Sequence, residues 1–370
     1  MESSELRIYF KFRCIYMTEI QKLAGEIKHF LEKKDVSNKS FFNHIFSKYC
    51  SKHALGEEFN GSGGKFKDIY LFTKELTKET ANIGISLSVL INLLILKIIS
   101  IYSDKNQKEK YLKNAIEKGF IFSFAVSEPK AGPHPKFLKS FAEKKNGAYF
   151  LNADKTFITN GPVCDFSIII AITSVDERKR YSAFFVPTDS KNIKIESIEN
   201  LPFFKDCPHG SIKINNFKIN ENEILGKKDK AYDDLVMSFR KYEDILMAAP
   251  VLGALEYLLS SVITKNKTIE DKNFYYETGA LLASVKALDF LCKKACEELE
   301  SGKNTTEFIH LFFREEIKSL IERFDNLCKT FELTLENNEK QILEDLSSSG
   351  KIAFKSAWNK LVKLAKNESK

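Results

Sequence analysis

The stretch Phe122 to Gly132, FSFAVSEPKAG, decides the reading of this chain, together with Asp154 to Gly161, DKTFITNG. The first opens as an apolar, strand-like run with Ile121, Phe122, Phe124 and Val126, then breaks at Ser127-Glu128-Pro129. Pro129 has no N–H to continue a ladder, and Gly132 permits a turn. The second has the same form: Thr156-Phe157-Ile158-Thr159, β-branched and aromatic, stops at Asn160-Gly161. Two hydroxyls and one flat aromatic at adjacent strand ends suit a polar, planar ring system such as a flavin. Hydroxyls at strand ends are also ordinary turn chemistry, and that reading stands beside the first.

Outward from these segments the hydrophobic period is two. Strands are expected at Phe120–Ser127, Tyr149–Leu151, Thr156–Thr159, Ser167–Ile172, Ser182–Val186, Lys194–Ile198 and Gly210–Phe217. Turn residues such as Asn146-Gly147, Asn160-Gly161-Pro162 and Pro187 separate them. Short strands at regular spacing predict an antiparallel barrel or sandwich. On either side the period changes to that of a helix. Thr18 to Lys33 carries Ile20, Leu23, Ala24, Ile27, Phe30 and Leu31 at helical spacing. Asp104 to Gly119 is a charged helix stopped by glycine. Tyr232 to Thr264, Phe274 to Ser301 and Phe308 to Asn337 supply long helices downstream. The expected fold is therefore α+β and multidomain: a helical domain at 1–119, a β domain at 120–227 and a helical bundle at 228–370.

Composition narrows the function. A chain of 370 residues, 43% hydrophobic and 29% charged, is long enough for two or three domains and is an ordinary globular protein rather than a disordered one. The net charge of +7 is spread along the chain, which argues against nucleic-acid binding and is compatible with an anionic substrate. Ile83 to Tyr102 is the most apolar window, but Asn92, Lys97 and several serines make it a buried bundle helix rather than a transmembrane segment. The seven cysteines form no CxxC pair and have no histidine at metal spacing, so no metal site is expected. With no secretory leader in MESSELRIYFKFRC, reduced thiols and a cytoplasmic location are expected. The glycine-rich FNGSGGK at Phe59–Lys65 lacks phosphate-loop spacing and reads as a plain loop.

The two opening segments also resemble a family. AVSEPKAG resembles the A-[LV]-[ST]-E-P-x-A-G-S-D signature of the acyl-CoA dehydrogenases, and FITNG resembles their W-I-T-N-G. FNGSGGKFKD and QKEKYL upstream, and SAFFVPTDSKNIKI and NNFKINENEILGKKDKAYDDL downstream, resemble the family's flanking segments in the same order. The resemblance covers roughly residues 55 to 260. It implies the helix–sheet–helix plan already read from the periods, FAD as cofactor and an acyl-CoA thioester as substrate. A carboxylate would remove the α-proton while hydride leaves the β-carbon.

By position, the resemblance puts Phe124, Val126 and Ser127 at the flavin's pyrimidine edge, Phe157 where an indole usually packs, and Thr159 at N5. Gly132 and Ile158 belong to the same motifs and join the expected cofactor contacts. Most of the family carries its base in a C-terminal I-Y-E-G-T segment, absent here. A minority branch carries it in D-x-E-R-x-x-x-A, and Tyr242-Glu243-Asp244-Ile245-Leu246-Met247-Ala248 aligns there, making Glu243 the candidate base. Asp244 stands where that motif has arginine. Three further departures touch the cofactor. Pro133-His134 replaces S-D, Asn266-Lys267-Thr268-Ile269-Glu270 replaces the R-x-x-F-G that grips the diphosphate, and the G-G-x-G turn near the adenine is missing.

Two roles follow from the resemblance. One is a flavin-dependent acyl-CoA dehydrogenase using Glu243. The other is a catalytically inactive subunit paired with an active paralogue. Either implies a homo-oligomer or a hetero-oligomer with that paralogue. At the tail, Phe354, Trp358, Leu361 and Ala365 with Lys355, Lys360, Lys363 and Lys366 predict a basic amphipathic helix. It is expected either to pack on the bundle or to dock on a membrane or partner.

Overall fold

The computed structural model describes residues 2–32, 38–199, 201–302, 306–349 and 354–368. Five helices come first: α1 (Glu2–Glu32), α2 (Lys39–Ile45), α3 (Phe66–Thr80), α4 (Ile83–Tyr102) and α5 (Lys105–Glu117). α4 and α5 start where side chains cap them: Asn82 accepts from Ile85 N at 2.8 Å, and Asp104 from Gln107 N at 2.8 Å. α4 is apolar on nearly every side because it runs through the main core. It is long and apolar enough to cross a membrane, yet 89% of its most apolar window is buried within the fold.

The sheet follows: β1 (Phe122–Ala125), β2 (Phe141–Lys145), β3 (Ala148–Thr159), β4 (Phe166–Val175), β5 (Lys179–Pro187), β6 (Ile193–Ser197), β7 (His209–Ile219) and β8 (Ile224–Leu225). Its order is β6-β7-β3-β2-β4-β5-β8, with β1 joined to β4. Most pairings are antiparallel as expected, but β1 and β2 each run parallel to β4, which makes the sheet mixed. The two strands expected at Tyr149–Leu151 and Thr156–Thr159 are one long strand with two irregularities against β7. A small core of Tyr149, Leu151, Ile169, Phe184 and Ile212 comes from the strands themselves, so the sheet curls around it as in a barrel. The opposite face, with Phe122, Ile168, Ile170 and Phe185, joins the helical core.

Beyond the sheet a π-helical turn at Tyr232–Val236 leads into α6 (Met237–Leu246), then α7 (Ala248–Lys265), α8 (Lys272–Ser301), α9 (Thr306–Thr330), α10 (Asn337–Ser349) and α11 (Phe354–Glu368). The single helix expected from Tyr232 to Thr264 is interrupted at Met247. Pro250 explains the break: it has no N–H for the Leu246 carbonyl, and its ring crowds that carbonyl. A buried charge network joins the bundle. Lys74 of α3 meets Glu256 of α7 at 2.7 Å and Asp289 of α8 at 3.0 Å, and Tyr70 donates to Asp289 at 2.9 Å.

The glycine-rich Phe59–Lys65 segment is a tight loop, with Gly61 and Gly64 (φ +89°) against the backbone of Leu55 and Gly56. The six cysteines whose side chains are described are buried free thiols. The side chains of Cys14 and Phe354 are not among those described. No cluster of His, Cys, Asp and Glu suited to a metal occurs among the described residues.

Candidate active site

The two signature segments are cross-linked to each other. Thr156 N donates to Ser127 O at 3.0 Å. Lys155 donates its ammonium to Val126 O at 3.0 Å and to Glu128 Oε1 at 2.9 Å. The side chains of Lys155 and Glu128 are only 0% and 6% exposed. Such a pair survives burial only if its remaining valences are filled. Those of the carboxylate are: Glu128 also accepts from Lys139 N at 2.7 Å and Ser140 N at 2.9 Å. Burial pushes the Lys155 ammonium down to about 8 against the pull of Glu128. Burial opposes ionisation of Glu128 too, but Lys155 and Ser140 outweigh it and hold the carboxyl below its usual range. Both groups are charged at neutral pH.

α4 fixes the same segments from the helical side. Asn92 Oδ1 accepts from Phe122 N at 2.8 Å, while Ser88 Oγ donates to Asn160 Oδ1 at 2.5 Å and Asn160 Nδ2 returns a bond to Ser88 O at 2.9 Å. Two of the polar residues that marked α4 as unlike a membrane span, Ser88 and Asn92, dock it to the sheet segments, while Lys97 pairs with Glu300 of α8 at 3.3 Å.

Between these strand ends and the helices lies a cavity of about 530 Å³, within the range of small-molecule sites. Phe124, Val126, Ser127, Phe157 and Thr159 line it from the sheet, and Glu243 lines it from α6. The Phe124 ring stacks on Phe239 of α6, centroids 4.6 Å apart. Phe157 stands at the rim, 65% exposed, on a backbone with φ +54°. That left-handed conformation is an outlier for an aromatic residue, and such strain collects at functional sites. Gly132 and Ile158 do not line the cavity. Ile158 points into the sheet's own core, and Gly132 (φ +57°) closes the turn by donating to Glu128 O at 3.0 Å.

The helical wall also carries Asp244, noted in the sequence only as a departure from the motif, and residues not singled out there: Arg240 beside Glu243, and His310 and Arg314 on α9. A helical signal for them exists. Val236, Arg240, Glu243 and Met247 fall on one face of α6 and the residues that flank it, and His310, Phe313, Arg314 and Ile317 on one face of α9. Glu243 is half-buried by area because it faces the cavity, but it sits deep in the protein. Burial, and then the neighbouring Asp244 charge, push its carboxyl up to about 7 against the pull of Arg240. The His310 imidazole is held below its ordinary range by burial, against the opposing influence of Asp244. Its Nδ1 lies 2.6 Å from Asp244 O. Lys360 of α11 approaches Asp244 at 3.7 Å and Glu307 at 3.2 Å, which seats the tail helix on α6 and α9.

His209, at the start of β7, is the remaining polar residue of the sheet-side wall that sequence reading missed. It sits across from Thr159 in the strand pairing, with Nδ1 3.4 Å from Thr159 Oγ1. Its Nε2 is buried with no partner among the described residues. Burial pushes the imidazole down to about 4.

The donor set fits the ring end of a flavin: two hydroxyls, an imidazole and an aromatic face at the mouth of an apolar cavity. The diphosphate end is less well provided. Asn266–Glu270 is the turn between α7 and α8, where Asn266 bonds back to Val262 O at 2.8 Å and Lys267 is exposed.

Residues 123–217 match the acyl-CoA dehydrogenase middle domain. Acyl-CoA dehydrogenase of Bacillus subtilis (strain 168) is 29% identical over 222 residues, 58% of each chain. The chain spans just over half the length of curated relatives of this kind, 56% and 58% in two of them. The fold is shared more completely. Butyryl-CoA dehydrogenase from Megasphaera elsdenii superposes with a TM-score of 0.79 at 18% identity, covering 94% of this chain and 98% of that one. The FAD complex of PigA superposes at 0.73 and 20% identity, covering 92% and 97%. These matches support membership of the acyl-CoA dehydrogenase family, whose middle domain residues 123–217 carry.

Proposed function

We propose that this chain is a flavin-dependent oxidoreductase that desaturates an acyl-CoA thioester between its α- and β-carbons, with Glu243 as the base. The observation that carries the reading is the meeting of the two signature segments and Glu243 in one cavity. Bound FAD would supply the hydride acceptor. Ser127 and Thr159 would hold the ring's polar edge, and Phe157 and Phe124 its apolar neighbours. Glu243 has a pKa matched to proton abstraction near neutrality, because a base is most effective when its pKa lies near the working pH. Leu87, Ile91, Val251 and Ile317 offer an apolar slot that keeps water from the acyl chain.

One observation favours a second role. The turn at Asn266–Glu270 presents no arginine where the family grips the diphosphate, which suits a chain that shares its site with a paralogous subunit or is its inactive partner. The test is a visible spectrum of the purified protein, alone and with FAD, followed by addition of acyl-CoA. A yellow protein bleached by substrate supports the enzyme. A colourless protein that takes up no FAD, even with its paralogue, ends that reading.

A further inference from the structure

We infer that His209 is a positioning residue: its Nδ1–H donates to Thr159 Oγ1 and leaves the Thr159 hydroxyl proton to be given to the occupant of the cavity. Thr159 and His209 are directly opposite in the β3–β7 pairing, so their side chains share a face of the sheet. The 3.4 Å separation of Oγ1 and Nδ1 is compatible with either direction of donation. What decides is the other nitrogen. Nε2 is buried and meets no partner among the described residues. A proton there would be an orphaned donor, whereas a bare ring nitrogen is an under-used acceptor, and proteins tolerate the second far better. The imidazole is neutral near pH 7 and so carries a single N–H, which belongs on Nδ1.

With Oγ1 already accepting, the threonine's own proton turns toward the cavity that both residues line. Its recipient is an acceptor atom, a ring nitrogen of the flavin if the proposed function holds. The identity of that recipient rests on the proposed reading; the tautomer does not.

Two measurements test this. In cofactor-free protein with 15N-labelled histidine, long-range proton–nitrogen correlation spectra at pH 7 report the His209 tautomer, assigned by its loss in His209→Asn. A neutral Nδ1–H ring whose shifts move in Thr159→Val is expected. An Nε2–H or doubly protonated ring overturns the inference. In FAD titrations, His209→Leu is expected to bind about tenfold more weakly, the scale of one net hydrogen bond. His209→Asn, which keeps a donor near the Nδ1 position, is expected to restore most of that loss. Equal losses in both folded variants also overturn it. If wild type binds no FAD, the flavin reading fails and the tautomer alone decides this one.

Discussion

On the sheet side of the cavity, Ser127 and Thr159 ride on backbone tied by Thr156 N–H, by the Lys155–Glu128 pair and by Ser88 and Asn92 of α4. On the helical side, Glu243 and Asp244 ride on α6, which breaks one turn later at Met247 and is braced by His310 of α9 and Lys360 of α11. The sheet wall is held mainly by buried bonds, with Asn92 Nδ2 and His209 Nε2 left without a partner among the described residues, and the helical wall by partly exposed contacts. The difference suits their proposed tasks. Groups that hold a planar ring gain from rigidity, whereas a base must exchange its proton and so face an open cavity.

The sharpest way to break this comparison is at the proposed base. Glu243→Gln is expected to cut reduction of bound flavin by acyl-CoA by about 10²–10⁴-fold while leaving FAD affinity unchanged. Stopped-flow absorbance reads the first, and titration the second. Loss of FAD binding would show that the helical wall also holds the cofactor. Next comes the rigid wall. Lys155→Met leaves Glu128 buried without its counter-charge and should cost about 3–5 kcal/mol in denaturant unfolding. A loss below about 1 kcal/mol would mean that the backbone bonds alone secure the segments.

Thr159→Val should slow flavin reduction by about 10²-fold, the scale for one preorganised donor. A smaller expected effect concerns pH. Because the folded-state pKa of Glu243 is raised to about 7, the native state holds a proton that the unfolded chain releases at lower pH. Stability from this group is therefore lost as pH rises toward 7. Glu243→Gln should gain melting temperature relative to wild type at pH 8 and little at pH 4, read by calorimetry. The smallest is at the tail. Trp358 is 54% exposed, and Trp358→Ala should shift stability by no more than about 0.5 kcal/mol. A larger loss would mean that α11 packs more tightly than this exposure indicates.

The two walls were also unequally legible in the sequence. The sheet wall is local: its residues lie within two short segments whose alternation and stop residues announce strand ends. β2, FAEKK, escaped because only Ala142 of it faces inward, so charge hid the period. His209 escaped because its partner Thr159 is 50 residues away and only the strand register pairs them. The helical wall is assembled from α6 and α9, where an inward polar residue resembles a solvated one until the packing face is known. Glu243 was reached through the family resemblance and Asp244 was noted there only as a departure from the motif, while His310 and Arg314 carry no motif that would have drawn them in. The break at Met247 was readable from Pro250 but masked by the continuous apolar stripe.

The strained Phe157 has a consequence for how this site tolerates change. Between Lys155 and Ile158 the strand spends three steps where its neighbour β7 spends two, from Ile212 to Gly210. That surplus residue works like a frameshift in the side-chain alternation. Lys155 and Ile158 both point inward, and Thr159 is released to the cavity. Were the strand regular with every residue kept, Thr159, four steps from Lys155, would turn to the face occupied by Lys155. The bulge thus sets which way the hydroxyl faces: flattening it with every residue kept would turn Thr159 inward, whereas deleting Phe157 would straighten the ladder and leave Thr159 toward the cavity.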